Sequence, residues 1–154
     1  MPPPISILFV CLGNICRSPL AEGVFTDAAR AAGRGSAFRL DSAGTGAWHA
    51  GSPPDPRSIE IAARNGIDIS GQRARKVSPG DFRRFDLILG MDSSNVTDLR
   101  AHAPGTHSGR IHLFLDYAAG IEKDMPDPYY GGPDGFETVY RMIREASEAM
   151  LSKL

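Results

Sequence analysis

The chain has 154 residues, 42% apolar and 23% charged, with 17 Lys and Arg against 18 Asp and Glu and a net charge of −1. That length and balance describe one globular domain over 1–154, and they force no basic face of the kind a nucleic-acid binder carries. Two cysteines, Cys11 and Cys16, are too few for a disulfide framework. No cationic segment precedes the apolar run Ile5–Val10, which is far too short to span a bilayer, so the expected setting is the cytoplasm, with no membrane association.

In chain order, Ile5–Val10 is short, apolar and β-branched, as in a buried strand. Ser18 then reads as an N-cap with Pro19 at the first helical position. Leu20, Ala21, Val24, Phe25, Ala28 and Ala32 recur at helical spacing, and Gly33 closes that helix. The spacing predicts a second strand over Ala37–Asp41, a loop over Ser42–Pro54 and a helix over Asp55–Asn65 ending at Gly66. Asp86–Met91 is a further buried strand, and Asp92 or Ser93 caps a helix over Ser94–His102. Arg110–Leu115 reads as a fourth strand and Met125–Gly135 as a Pro/Gly/Asp loop. Phe136, Val139, Tyr140, Ile143, Ala146 and Met150 form one apolar helical face. Strands alternating with helices predict an α/β fold with a parallel sheet covered on both faces, and ligands in such sheets sit beyond the carboxyl ends of the strands.

The loop from Cys11 to Arg17 occupies that place. Its glycine and the helix start behind it allow several backbone N–H groups to converge as an anion nest, formed by Leu12, Gly13, Asn14, Ile15 and Cys16. Arg17 adds a planar fork that matches two phosphate oxygens. A thiol at the mouth of such a nest, Cys11, lies in positive potential that favours the thiolate, which is the nucleophile. Ser18 can donate a hydrogen bond to the sulfur as it leaves. Taken alone, Cys11 also fits a small hydrophobe at a strand end. The Gly-Lys-Ser/Thr signature of a nucleoside-triphosphate loop is absent, because no lysine stands at the helix start.

The run Cys11-Leu12-Gly13-Asn14-Ile15-Cys16-Arg17-Ser18-Pro19, together with Asp127-Pro128-Tyr129-Tyr130, resembles the low-molecular-weight protein tyrosine phosphatases. Ser42-Ala43-Gly44 with Trp48, and Met91-Asp92 with Ser94-Asn95, match further segments of that family, so the resemblance covers essentially the whole chain. It implies a flavodoxin-like three-layer sandwich around a four-stranded parallel sheet, with no metal and no cofactor. It implies phosphotyrosine-containing proteins as substrates and inorganic phosphate or vanadate as ligands. It also implies Asp127 as the general acid, a role for which Asp124 and Asp134 are neighbouring rivals, while any of the three also fits a turn-forming aspartate.

Supporting roles stay open between two readings. Asn14 either holds the loop through Ser18 and Ser42 or is a plain turn residue. Asp92 either orients Arg17 or only caps its helix. Trp48, Tyr129 and Tyr130 either wall a slot for an aromatic ring or simply pack. Cys16 either traps an oxidised Cys11 as a disulfide or packs behind the loop. His49, His102, His107 and His112 show no metal-ligand spacing and receive no role. Gln72 stands where many relatives carry a histidine that supports the loop.

Three other readings compete. Arsenate reduction on this fold passes electrons through three cysteines, and none follows Cys16. Phosphoarginine phosphatases that resemble the family carry Thr where this chain has Ile15. A non-catalytic phospho-ligand module would need the nest and Arg17 but neither Cys11 nor Asp127.

Overall fold

Strand β1 (Ile5–Cys11) is the centre of the molecule. In this computed structural model, which describes residues 3–129, 131 and 133–154, Ile7 and Phe9 face one side of the sheet and Leu8 and Val10 the other, all four with no exposed surface. A strand apolar on both faces needs cover on both. It gains strand β2 (Phe38–Gly44) on one edge and strands β3 (Leu87–Gly90) and β4 (Ile111–Leu113) on the other, giving a parallel sheet of order β2-β1-β3-β4.

Helices α1 (Arg17–Ala31), α2 (Pro56–Arg64), α5 (Phe114–Ala119) and α6 (Pro133–Lys153) cover the face of Ile7 and Phe9. Helices α3 (Asp81–Arg84) and α4 (Ser93–His102) cover the face of Leu8 and Val10. The first layer is tied by aromatic contacts: Phe9 lies 5.9 Å from Phe25 and 5.5 Å from Phe114, and Phe25 meets Phe38 edge-on at 5.1 Å. Among the described residues, no helix is long and apolar enough to cross a membrane.

Several boundaries differ from the sequence reading. Helix α1 begins at Arg17 with Cys16 in the cap position, and Ser18 is no cap, because its hydroxyl is engaged by Cys11 and Asn14. Strand β2 runs on through Ser42, Ala43 and Gly44, which pair with Phe9, Val10 and Cys11 instead of joining the loop. Strand β4 stops at Leu113, where its pairing with β3 ends, and the chain turns at once into α5; an apolar run of that length fits either period. Helix α3 is a four-residue turn without a periodic signal, and α6 starts at Pro133, three residues before Phe136.

The topology puts the loops after β1, β2 and β3 on one rim. Gly44 sits where two of them meet. A Cβ there would stand 2.8 Å from the Leu12 carbonyl oxygen and 3.1 Å from the Asn14 nitrogen, both backbone atoms that no rotamer change can move. Gly44→Ala is therefore expected to lower stability by about 2 kcal/mol or more. Gly105→Ala, where an added Cβ meets nothing within 4 Å, serves as the neutral control, both read from urea midpoints. Equal midpoints for the two variants would refute the close-approach argument.

Candidate active site

The loop after β1 is held from outside by its carbonyl groups. Thr45 N donates to the Cys11 oxygen at 3.0 Å, Gly46 N to Leu12 at 2.9 Å and Asp55 N to Ile15 at 2.8 Å, and Ser58 Oγ donates to Cys16 at 3.1 Å. Four carbonyls of this segment are thus engaged by neighbouring elements. Among the described residues, no acceptor engages the backbone N–H groups of residues 13–16.

Asn14 makes this shape possible. Its φ is +58°, the left-handed region that asparagine tolerates better than most residues. Its Nδ2 donates to Ser18 Oγ at 2.8 Å and to Ser42 Oγ at 3.0 Å, and its Oδ1 accepts from Arg75 N at 3.0 Å. Ser18 Oγ in turn lies 3.0 Å from Cys11 Sγ. Cys11 is 3% exposed, at the end of β1 and the floor of a cavity of about 330 Å³.

Arg17 is buried beside it. Its Nη1 donates to Asp92 Oδ2 at 2.7 Å and to the Met125 carbonyl at 2.9 Å, and its Nη2 lies 3.6 Å from Asp127 Oδ2. Asp92 does both things open to it in the sequence. Its Oδ1 caps α4 by accepting from Asn95 N at 2.8 Å, in a reciprocal capping box, and its Oδ2 holds Arg17.

Asp127 lines the cavity, and its Oδ1 accepts from Tyr129 N at 3.0 Å. The rivals stand elsewhere. Asp124 accepts from Ser93 N and Oγ at 2.9 and 2.6 Å, at the start of α4, and Asp134 lies exposed in the first turn of α6. The cavity wall is completed by Leu12, Gly13, Ile15, Cys16, Trp48, His49 and Tyr129. Tyr130 falls outside the described residues.

His49 and Arg57 received no role from the sequence. His49 follows Trp48 into the cavity wall. Arg57 grips Asp55 with Nε and Nη2 at 3.1 and 3.0 Å, and its guanidinium lies 4.6 Å from the Phe136 ring and 5.5 Å from that of Tyr129. Since Asp55 N also donates to the Ile15 carbonyl, Arg57 links the loop after β1 to the loop of Asp127. The only local signal was a cation just inside a helix start.

Two groups have displaced titrations. Burial, helped by the negative charges of Asp55, Cys11 and Asp127, pushes the Cys16 thiol up to about 12, so it stays protonated and is a poor nucleophile at neutral pH. In α1, burial and secondarily Asp41 push the Glu22 carboxyl up from 4.5 to about 7, against a hydrogen bond with Ser42 and the charge of Arg75. Gln72 Nε2 donates to the Pro19 carbonyl at 3.1 Å, while its buried Oε1 has no partner among the described residues.

The family model described as low molecular weight phosphotyrosine protein phosphatase matches residues 6–154. This chain belongs to that family. A low molecular weight phosphotyrosine protein phosphatase of Schizosaccharomyces pombe is 46% identical over 97% of both chains. The low molecular weight protein-tyrosine-phosphatase YfkJ of Bacillus subtilis is 44% identical, and its crystal structure superposes with a TM-score of 0.90 over 97% of this chain and 94% of that one. The crystal structure of a protein tyrosine phosphatase from Entamoeba histolytica, with Hepes in its active site, is 35% identical and gives a TM-score of 0.91 over 97% of this chain and 96% of that one. The chain therefore shares the fold of these phosphatases.

Glu22 makes stability depend on pH. Its folded pKa is raised, so its contribution is fully present below about 4.5 and is lost as pH rises through about 7. Glu22→Gln removes that titration. The melting temperature of the variant relative to the parent is expected to rise by a few degrees between pH 4.5 and pH 8. Parallel melting curves across that range would show that Glu22 does not titrate in it.

Proposed function

We propose that this phosphatase hydrolyses phosphotyrosine in proteins through a cysteinyl-phosphate intermediate on Cys11, with Arg17 as the phosphate clamp and Asp127 as general acid and base. The observation that carries this reading is the convergence of three groups on one cavity: the Cys11 sulfur on its floor, loop N–H groups that no acceptor engages, and the Arg17 fork beside Asp127. The Cys11 thiolate attacks phosphorus; the S–P bond forms and the P–O bond to the aryl group breaks. Asp127 gives its proton to the departing phenolate oxygen. Water then attacks the phosphocysteine, Asp127 takes up its proton, and the sulfur leaves as thiolate against the Ser18 hydroxyl. Arg17 and the loop amides hold the equatorial oxygens through both steps.

Ile15, Trp48 and Tyr129 make an apolar and aromatic slot above the cradle, suited to a phenyl ring; Tyr130 belongs to the same proposal from its sequence position. A phosphoserine stem is too short to reach the sulfur from the mouth of such a slot. Hepes in the Entamoeba enzyme's active site carries a sulfonate, an oxyanion of related shape, and free phosphate and vanadate are proposed ligands here on the same grounds. A nucleophilic thiol requires a reducing compartment, which supports placement in the cytoplasm. We read residues 1–154 as one domain, since both faces of the single sheet are covered by helices from along the whole chain.

Cys11→Ser is expected to abolish turnover yet keep vanadate binding, and Arg17→Ala to lose both; turnover by Cys11→Ser would refute the covalent intermediate. Asp127→Asn is expected to slow aryl phosphates with poor leaving groups by about 100-fold or more, and those with good ones far less. An equal loss for both classes would move the acid to another residue. Phosphotyrosine peptides are expected to exceed phosphoserine and phosphoarginine peptides in kcat/KM, with Ile15→Thr shifting the ratio toward phosphoarginine. A parent enzyme that prefers phosphoarginine would overturn the substrate assignment.

A further inference from the structure

The loop after β2 brings two consecutive ring side chains to the slot, and each rests on a glycine. A Cβ on Gly13 would meet His49 Cδ2 at 2.9 Å. A Cβ on Gly46 would fall onto Cζ3 and Cε3 of Trp48, so the six-membered ring of the indole fills the space that a side chain at 46 would take. The backbone does not call for glycine there: Gly33, Gly51, Gly66 and Gly120 have positive φ, and Gly46 is not among them. The seat is also anchored, because Gly46 N donates to the Leu12 carbonyl at 2.9 Å and is thereby tied to the phosphate loop. Trp48 itself is 73% exposed, so no core holds the indole in place.

We propose that Gly46 is a specificity-determining positioning residue, whose missing side chain lets the Trp48 indole stand against the slot. Any larger residue turns the ring outward and shortens the wall that grips an aromatic phosphomonoester. The inference rests on the phosphotyrosine reading and assigns the control of that slot to a residue that touches no substrate. An exposed indole swings away at little cost, so a side chain at 46 leaves the fold and the sulfur chemistry intact. What is lost is contact with the aromatic ring made equally in the ground and transition states, and losses of that kind appear in KM and leave kcat unchanged.

Trp48 is the single tryptophan of the chain, so its fluorescence reports the seat directly. Gly46→Ala, Trp48→Ala and the double variant are compared by acrylamide quenching where Trp48 is present, by thermal melting, and by kcat and KM on a phosphotyrosine peptide. For Gly46→Ala we expect stronger quenching, an unchanged melting temperature, and KM raised by about five- to tenfold with kcat held within about twofold. In the Trp48→Ala background the same substitution is expected to change KM by less than about twofold, the non-additivity of two residues acting as one. Unchanged quenching in Gly46→Ala, or a KM penalty that persists without Trp48, would overturn the proposal. A parent enzyme inactive on phosphotyrosine would instead remove the functional reading and the specificity role with it, while quenching still decides the seating.

Discussion

The site depends on one residue held in a costly backbone conformation. Asn14 sits at a φ of +58°, and its side-chain amide keeps it there by donating two hydrogen bonds and accepting one. Those bonds reach α1, β2 and the segment at Arg75, so the left-handed turn is stable only when all three have docked. The reverse also holds. Without the turn, the chain leaving β1 would not point its amides inward, and Ser18 would not face the sulfur. The cradle therefore has its shape only with α1, β2 and the segment at Arg75 in place.

Arg17 extends this coupling to the far side of the rim. It is 2% exposed, and a guanidinium that deep needs partners on more than one side. Asp92 supplies the charge from the end of β3, and the Met125 carbonyl supplies a neutral acceptor from the approach to Asp127. Met125 N donates to the Met91 carbonyl at 2.9 Å, which roots that approach on the sheet. The loop of Asp127 is thus located by Arg17 itself. Arg57 braces its outer end through Tyr129 and Phe136.

What the sequence revealed and what it hid divide along contact range. Strand β1, the loop after it and the helix behind it are local, and their spacing alone reads as nucleophile, nest and clamp. Local logic misled at Ser18, where a sound N-cap residue is drawn off by the sulfur seven positions earlier and by Asn14. Phe114–Ala119 carried no decisive period, and only the end of pairing with β3 turns it into a helix. Turn chemistry could not separate Asp124 from Asp127. The separation comes from Ser93, which lies 31 positions from Asp124 and takes it as a helix-end partner. His49 and Arg57 were invisible because their places follow from how the loop after β2 leans on the loop after β1.

The outward-turned carbonyls of the phosphate loop carry a thermodynamic consequence. Their acceptor capacity is met by Thr45, Gly46, Asp55 and Ser58 within the protein, so the cradle has its shape before any anion arrives and little reorganisation energy accompanies filling it. Such a cradle does not distinguish a phosphate attached to a protein from one that has been released. On the proposed mechanism, the phosphate released in the second step would compete for the site that made it, and the working rate would fall as free phosphate accumulates.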